Sequence, residues 1–361
     1  MRSTRPDAEN ADAAHAHNPH PAPRDPSPPR DQYDFKVAIL CALPPEASAI
    51  TACFDKHWDD QIYGKAPSDS NAYSTGMIGH HNVVLVHMPN MGKVAAAKAA
   101  AYLHSSFPGI QLALVVGVCG ATPIGSQDEN IFLGDVVISE GLVQHDLGRQ
   151  LPNSRFLRKD TTRENLPRPG YKICAALAKL KTEQGLSRLQ NKISEHLDTL
   201  KQKHVVTYPG ATEDRLFKST YPHKHHHSSE CAICPNDNGG DNICHLAIEM
   251  SCQELKCHER ELVLRDRLTQ PPKPVVHFGL VASGDTVMRS GEDRDGIAAR
   301  DGVIAFEMEG AGVWETFLHS LVIKGVSDYA DSHKDKRWQS YAAATAAAAT
   351  KAFLENWSTG M

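Results

Sequence analysis

Apolar residues fall along this chain in short runs separated by polar, Pro-rich or Gly-rich punctuation. Phe35 to Leu43 is almost continuously apolar, the pattern of a buried strand. Pro44 and Pro45 end that run, and proline suits the first turn of a helix, so Glu46-Ala-Ser-Ala-Ile50 is predicted to open one. Asn82 to Met88 predicts another strand and the Ala-rich stretch from Gly92 to Phe107 a helix. Gln111 to Val118 is apolar throughout and runs into Gly117-Val-Cys-Gly-Ala121. Asp135 to Ser139 predicts a short strand, and Pro169 to Lys203 a largely helical stretch. After an irregular segment, strands are predicted at 274–282, 302–306 and 321–326, with helices at 291–300, 308–319 and 336–357. Strands alternating with helices predict a layered α/β fold with helices on both faces of a central sheet.

The ends depart from this pattern. Residues 1 to about 33 are rich in Pro, Ala, His, Asp and Arg and hold almost no large apolar side chain. Such a segment cannot bury enough surface to offset its ordering entropy, so residues 1–33 are expected to form a disordered tail and 34–357 the domain. The chain has 361 residues, 41% of them hydrophobic and 22% charged, which is ample for a sizeable core. A net charge of -5 gives no broad basic surface, so nucleic acid is not expected as a partner. No apolar run approaches the roughly 20 residues of a membrane span, so no membrane is expected either. The tail is polar and Pro-rich with no apolar stretch, so it is not expected to be a secretory signal. Nine cysteines, with Cys41 and Cys119 inside apolar runs, suggest reduced thiols and a cytoplasmic protein.

Three acidic features stand at the ends of predicted strands, where open α/β sheets place ligand sites. They are Glu46, the run Phe306-Glu-Met-Glu-Gly310, and Ser327-Asp-Tyr-Ala-Asp331. Each also has a plainer reading. An acid in the first helical turn favours the helix dipole, which would account for Glu46 and Glu309. An Asp after a strand is often a cap or turn residue. Their joint occurrence with a Gly-rich turn after a buried strand favours a site.

Glu46 in Ala-Leu-Pro-Pro-Glu, Gly117-Val-Cys-Gly120, Ser283-Gly-Asp285, Glu307-Met-Glu309 and Ser327-Asp-Tyr-Ala-Asp331 occur together in one order. On these residues the chain resembles the nucleoside phosphorylase superfamily, over about residues 34–357. Within it, the chain is most similar to nucleosidases acting on methylthioadenosine and S-adenosylhomocysteine. It is closer still to fungal nucleoside-phosphorylase-like domains found alone or ahead of nucleotide-binding and repeat modules. The resemblance implies a three-layer α/β sandwich with a central mixed β-sheet flanked by helices. It also implies that Glu309 bonds the ribose hydroxyls while Met308 packs on the sugar. Asp328 would give or share a proton at the purine N7, with a pKa raised by burial or by a nearby carboxylate. Glu46 would orient or deprotonate the attacking nucleophile, and the transition state would be a ribosyl oxocarbenium ion. Gly117, Val118, Gly120, Val287, Phe306, Glu307 and Ser327 complete the expected substrate pocket. No catalytic cofactor is implied. The family forms homo-oligomers, and a neighbouring subunit often closes the pocket.

Phosphorylases of this family hold phosphate with arginines and a hydroxyl. The matching positions here are the Leu43-Pro-Pro-Glu46 loop, Val115 and Val118, none of which offers a charge-assisted donor. Hydrolysis of a purine nucleoside of the adenosine type is therefore expected. The alternatives are a phosphate-dependent phosphorylase and a nucleoside-binding signalling module with little turnover. Arg149, in Gln144-His-Asp-Leu-Gly-Arg149, is the candidate that could supply a phosphate contact, and His145 and Asp146 could line the pocket. Val118 stands where the nucleosidases have a serine, which leaves the substrate's five-prime group open.

The irregular segment, about 205–273, is an insertion rich in Cys and His. It holds Cys231-Ala-Ile-Cys234, Cys244-His245, Cys252, Cys257-His258, His223 and His225 to His227. Thiolate and imidazole can bind zinc tetrahedrally, and Cys231 and Cys234 are the leading ligands of such a structural site. The other reading is a loop of free thiols.

Overall fold

The computed structural model describes residues 27–60, 63–152, 156–161, 164–226, 231, 233–234, 243–265 and 273–358. Most of the expected tail, residues 1–26, and His227 lie outside them. The described chain starts at Ser27, and Gln32–Asp34 form a single 3-10 turn capped by Asp31.

The elements follow in chain order as β1 (Val37–Cys41), α1 (Pro44–Ala52), the two-residue β2 (Lys56–His57), β3 (Ala72–Ile78), β4 (His81–His87) and α2 (Lys93–Ser106). Next come β5 (Leu112–Ala121), β6 (Val136–Gln144), the hairpin β7 (Gly148–Gln150) and β8 (Phe156–Arg158), α3 (Tyr171–Leu180) and α4 (Glu183–Gln202). The insertion carries the short α5 (His245–Glu249), and the chain ends with β9 (Val276–Ser283), α6 (Gly291–Asp301), β10 (Val303–Glu307), α7 (Gly310–Trp314), β11 (Ser320–Asp328) and α8 (Arg337–Asn356).

Nine strands form one mixed sheet in the order β10-β9-β6-β11-β5-β1-β4-β3-β2. Its central strands β1, β5 and β11 are buried almost throughout, because helices cover both faces, and so they read as unbroken apolar runs. On one face α8 packs against β5, β6 and β11, with α1 and α4 against α8. On the other, α2 packs against α7, which lies on β5, β6 and β11. Alternation along β11 sets this up: Val322 meets Gly310 of α7, while Gly325 faces α8. A Cβ at Gly325 would stand 2.0 Å from the Ala342 carbonyl oxygen, so glycine on the strand and alanine on the helix let the two backbones nearly touch. That contact is the physical use of the Ala-rich α8. Beyond β9, the sheet curls until Ala305 and Phe306 of β10 pair antiparallel with Ala121 and Gly120 of β5. This closes β5, β11, β6, β9 and β10 into a small barrel, and it draws the ends of β5, β10 and β11 onto one rim.

Several elements differ from the pattern-based expectation: the short β2, β7, β8 and α5 were not predicted, and two larger differences have a physical reason. The helix expected over 308–319 is only α7, because the chain must turn to start β11, where Ala113 donates to the His319 carbonyl and Ser320 pairs with Ala113. Strand β3 was not expected, since Gly76 interrupts its apolar pattern. The structure supplies the reason for the glycine: a Cβ there would sit 2.2 Å from the Phe54 ring. No helix among the described residues is long and apolar enough to cross a membrane.

Candidate active site

A cavity of about 680 Å³ opens at the rim where these strands end. That size suits a nucleoside-sized molecule. Its wall includes Glu46, Val118, Gly120, Val287, Phe306, Glu307, Met308, Glu309, Ser327 and Asp328. The expected site residues thus meet in one place although they come from five separate stretches of chain. Gly117 is the exception. It stands behind Glu46, where a Cβ would be 2.2 Å from Oε1 of that residue.

Glu46 sits in the first turn of α1 and is 2% exposed. Its Oε2 accepts from the backbone N–H of Ala42 (3.0 Å) and Leu43 (2.9 Å), and its Oε1 from that of Val118 (2.8 Å). Through Oε2, Glu46 also reaches back to the N-cap backbone N–H of Leu43, one half of a capping box at the start of α1. The bond to Val118, from a different strand, fixes the other oxygen at the pocket wall. Burial raises the Glu46 carboxyl above its ordinary value; Lys324 opposes this shift and Glu309 adds to it.

The sequence reading missed His333 and Lys334 of the cavity wall, and Lys324, which lies behind the wall against Glu309. Lys324 lies in the middle of β11 and is 1% exposed. Its Nζ is 2.9 Å from Glu309 Oε2 and 3.8 Å from Glu307 Oε2. Burial alone would lower this ammonium's pKa, but the fields of Glu309, Glu46 and Glu307 outweigh burial and raise it. A lysine inside an apolar strand pattern was the available signal. Three carboxylates and one ammonium thus share a buried volume, and hydrogen bonds meet most of their needs. Glu307 accepts from the backbone N–H of Glu309 (3.0 Å) and Gly310 (2.9 and 3.0 Å), so it holds the turn that presents its neighbours. Its carboxyl is raised by burial, with Lys324 opposing. Glu309 also accepts from Gly92 N–H at 3.4 Å. Met308 is half-buried between these two acids, in the pocket wall.

Asp328 lies at the end of β11. Lys334 Nζ lies 2.5 Å from its Oδ1, and the Asp331 carboxylate of the same loop is near enough to interact with it. Ser327 Oγ donates to its Oδ2 at 2.9 Å and Ala330 N–H to its Oδ1 at 3.0 Å. The strongly perturbed acid of this loop is Asp331, which burial pushes up to about 6 while the His333 N–H, bonded to it, pulls the other way. His333 also lines the cavity, is stacked on Phe217 at 4.0 Å, and is pushed down to about 3 by burial. It therefore presents a neutral ring.

The remaining expectations sort as follows. Val115 is buried in the core, and Arg149 is exposed on β7 away from the cavity wall. His145 and Asp146 brace the Ser283–Asp285 turn from behind: Asp146 accepts from Asp285 N–H at 2.8 Å and pairs with Lys93 at 2.6 Å. Cationic side chains do line the cavity, and not all are closely matched by acids: Arg215 reaches Glu259 only at 3.9 Å and lies over the Phe217 ring. Arg337 pairs with Glu213 and Asp335, Lys336 with Glu249, and Arg289 donates to the Ile248 carbonyl. The insertion contributes the wall from Ile248 to Glu254. Cys231 and Cys234 lie together with His225 and Cys244.

Comparison with known proteins supports this fold assignment. Residues 36–212 match the sequence model described as the phosphorylase superfamily. A nucleotide-binding leucine-rich repeat (NLR)-like protein of Hyaloscypha variabilis is 30% identical over 327 residues, which is 89% of this chain; the chain spans 29% of that relative's length. Among solved structures, futalosine hydrolase of Helicobacter pylori superposes with a TM-score of 0.52 at 16% identity, covering 90% of this chain and 99% of its own. The 5'-methylthioadenosine/S-adenosylhomocysteine nucleosidase of Neisseria meningitidis, in complex with methylthio-immucillin-A, gives 0.51 at 18% identity, covering 89% and 99%.

Proposed function

The chain belongs to the phosphorylase superfamily and has the nucleoside phosphorylase/hydrolase fold, and from that premise we propose that it is a purine nucleoside N-ribohydrolase. The substrate is of the adenosine type, and the products are free base and ribose. One observation carries this reading: Glu46, Glu309 and Asp328 converge on one cavity in which the cation acting on Glu46 is Lys324, already matched by carboxylates. A phosphate dianion placed beside Glu46 would meet a buried carboxylate. A water molecule there would meet a fixed acceptor.

In this reading Glu309, anchored by Lys324, accepts from the vicinal ribose hydroxyls, and Met308 packs on the sugar. Glu46, immobilised by three amides, takes a proton from the attacking water and stabilises the oxocarbenium charge. Adenine is a poor leaving group as an anion. Asp328 therefore passes a proton to N7 as the glycosidic bond breaks, and Lys334 stands in contact to resupply it. Val287, Phe306 and the neutral His333 ring bound the base. Folds of this kind also host phosphorolysis, so fold alone does not choose the nucleophile. Incubation with adenosine, with and without phosphate, decides it. Adenine and ribose at a rate indifferent to phosphate are expected. Ribose-1-phosphate with strict phosphate dependence would make the protein a phosphorylase, and tight binding without either product would make it a sensor.

A further inference from the structure

The insertion between α4 and β9 has a small core of its own. Phe217, Ala247 and Leu255 pack there with the buried thiols of Cys234, Cys244 and Cys257. So few apolar groups cannot hold a segment of this length in one conformation, and small modules of this kind use disulfides or a metal. All nine cysteines are free thiols in this structure.

Their positions answer to a metal. His225, Cys231, Cys234 and Cys244 bring one nitrogen and three sulfurs within 4.8 Å of one another. His225 Nδ1 lies 3.6 Å from Cys234 Sγ and 3.5 Å from Cys244 Sγ. A zinc tetrahedron with bonds of about 2.3 Å to sulfur and about 2.0 Å to nitrogen has S···N edges of about 3.6 Å. His223, Cys252 and Cys257 form a second group, with His223 Nδ1 at 3.7 and 3.5 Å from the two sulfurs. His223 Nε2 is 2.8 Å from the Met250 carbonyl oxygen, which can only accept. The ring proton is therefore on Nε2, and the Nδ1 lone pair is turned to the sulfurs, as in oriented metal-binding histidines. Backbone amides point at the first group's sulfurs: Ile233 and Cys234 N–H at Cys231 Sγ (3.3 and 3.4 Å), and Ala247 N–H at Cys244 Sγ (3.4 Å). Donors aimed at sulfur favour the thiolate, the form that binds metal.

We propose that the insertion is a two-zinc module, in which His225, Cys231, Cys234 and Cys244 close one tetrahedral site and His223, Cys252 and Cys257 hold a second ion with one position left for water. Thiolate and imidazole in this geometry select zinc. The five thiols release their protons as the two ions bind. His223 and His225 stand two residues apart, so one segment ties both sites together. Cys252 is at once a ligand and part of the cavity wall, and His333 lies edge-on to His223 at 5.1 Å. The metals therefore fix the Ile248–Glu254 wall of the pocket without touching Glu46.

The test is metal analysis of the full chain, purified without chelator and supplied with zinc. Two zinc ions per chain are expected, falling to one in Cys244→Ser and to one in Cys257→Ser. Should those variants fail to fold, cobalt refilling of the wild-type chain replaces them. It should give thiolate-to-cobalt charge-transfer and tetrahedral d–d absorption that saturates at two equivalents. Fewer than two ions bound, or recovery of these cysteines as disulfides, overturns the proposal. Chelation should open the insertion to protease while the sheet stays intact, and equal protection with and without metal would overturn the stapling role. None of these measurements depends on which reaction the pocket performs.

Discussion

The Glu46 carboxylate fills the space that any side chain at Gly117 would need, with Oε1 2.2 Å from where a Cβ would be. Strand β5 thus has no side chain at one point so that a helix-borne acid can lie against its backbone and take the Val118 N–H. Gly117→Ala should push the carboxylate off its three amides. The expected result is a fall in kcat of about 100-fold, the scale of a misplacement near 1 Å, with a stability loss of about 1–3 kcal/mol. Turnover with adenosine and urea unfolding check it. Wild-type kcat in the alanine variant would remove Glu46 from the chemistry.

Burial raises the Glu46 carboxyl. If its charged form serves the water, the rate must fall as pH drops through that raised value, because the proton then occupies the accepting oxygen. The acidic limb of the kcat profile should accordingly lie above the ordinary glutamate value of about 4.3. Glu46→Gln should abolish turnover by about 100-fold or more while leaving adenosine binding near wild type by calorimetry. An unchanged acidic limb in the glutamine variant contradicts the assignment.

Asp328 and Lys334 form a couple at the end of β11. Asp328→Asn keeps the shape but cannot pass a proton, so kcat with adenosine should drop by about 100-fold or more. Lys334→Ala removes only the resupply and should cost less. A nucleoside analogue with an activated leaving group, which needs no proton, should recover most of the rate in both variants. Equal losses with both substrates would show that Asp328 only shapes the pocket.

Lys324 balances Glu309, Glu307 and Glu46 inside the fold. Lys324→Met leaves those acids uncompensated and should destabilise the protein by about 3–5 kcal/mol at neutral pH. The sign of the pH dependence follows from the acids. Without the ammonium, which opposes the rise, the Glu46 and Glu307 carboxyls move further above their unfolded values. The folded state then binds more protons than the unfolded one, and stability falls as pH rises. The difference between variant and wild type should be smaller at pH 5 than at pH 8. Thermal unfolding at both values checks it, and a constant difference would mean that Lys324 acts through packing alone.

The layered α/β class and most strands and helices were legible in the sequence, because an apolar run is a local signature of a strand covered on both faces. So were Glu46, Glu309 and Asp328, since each sits at the end of such a run, where a side chain leaves the sheet. Three things were decided only by the tertiary structure. Lys324 looked like a lone polar residue in an apolar strand, and only the fold surrounds it with acids, Glu307 and Glu309 at and just after the end of β10 and Glu46 from α1. The partner of Asp328 could not be read from the sequence: Lys334 lies against it because the loop after β11 folds back. The insertion was read only as an irregular Cys- and His-rich segment, and its place in the pocket wall at Ile248–Glu254 comes from the fold. Periodicity records which way a side chain points from its own strand or helix, whereas charge compensation and pocket walls depend on residues far apart in sequence, whose distances the chain alone does not encode legibly.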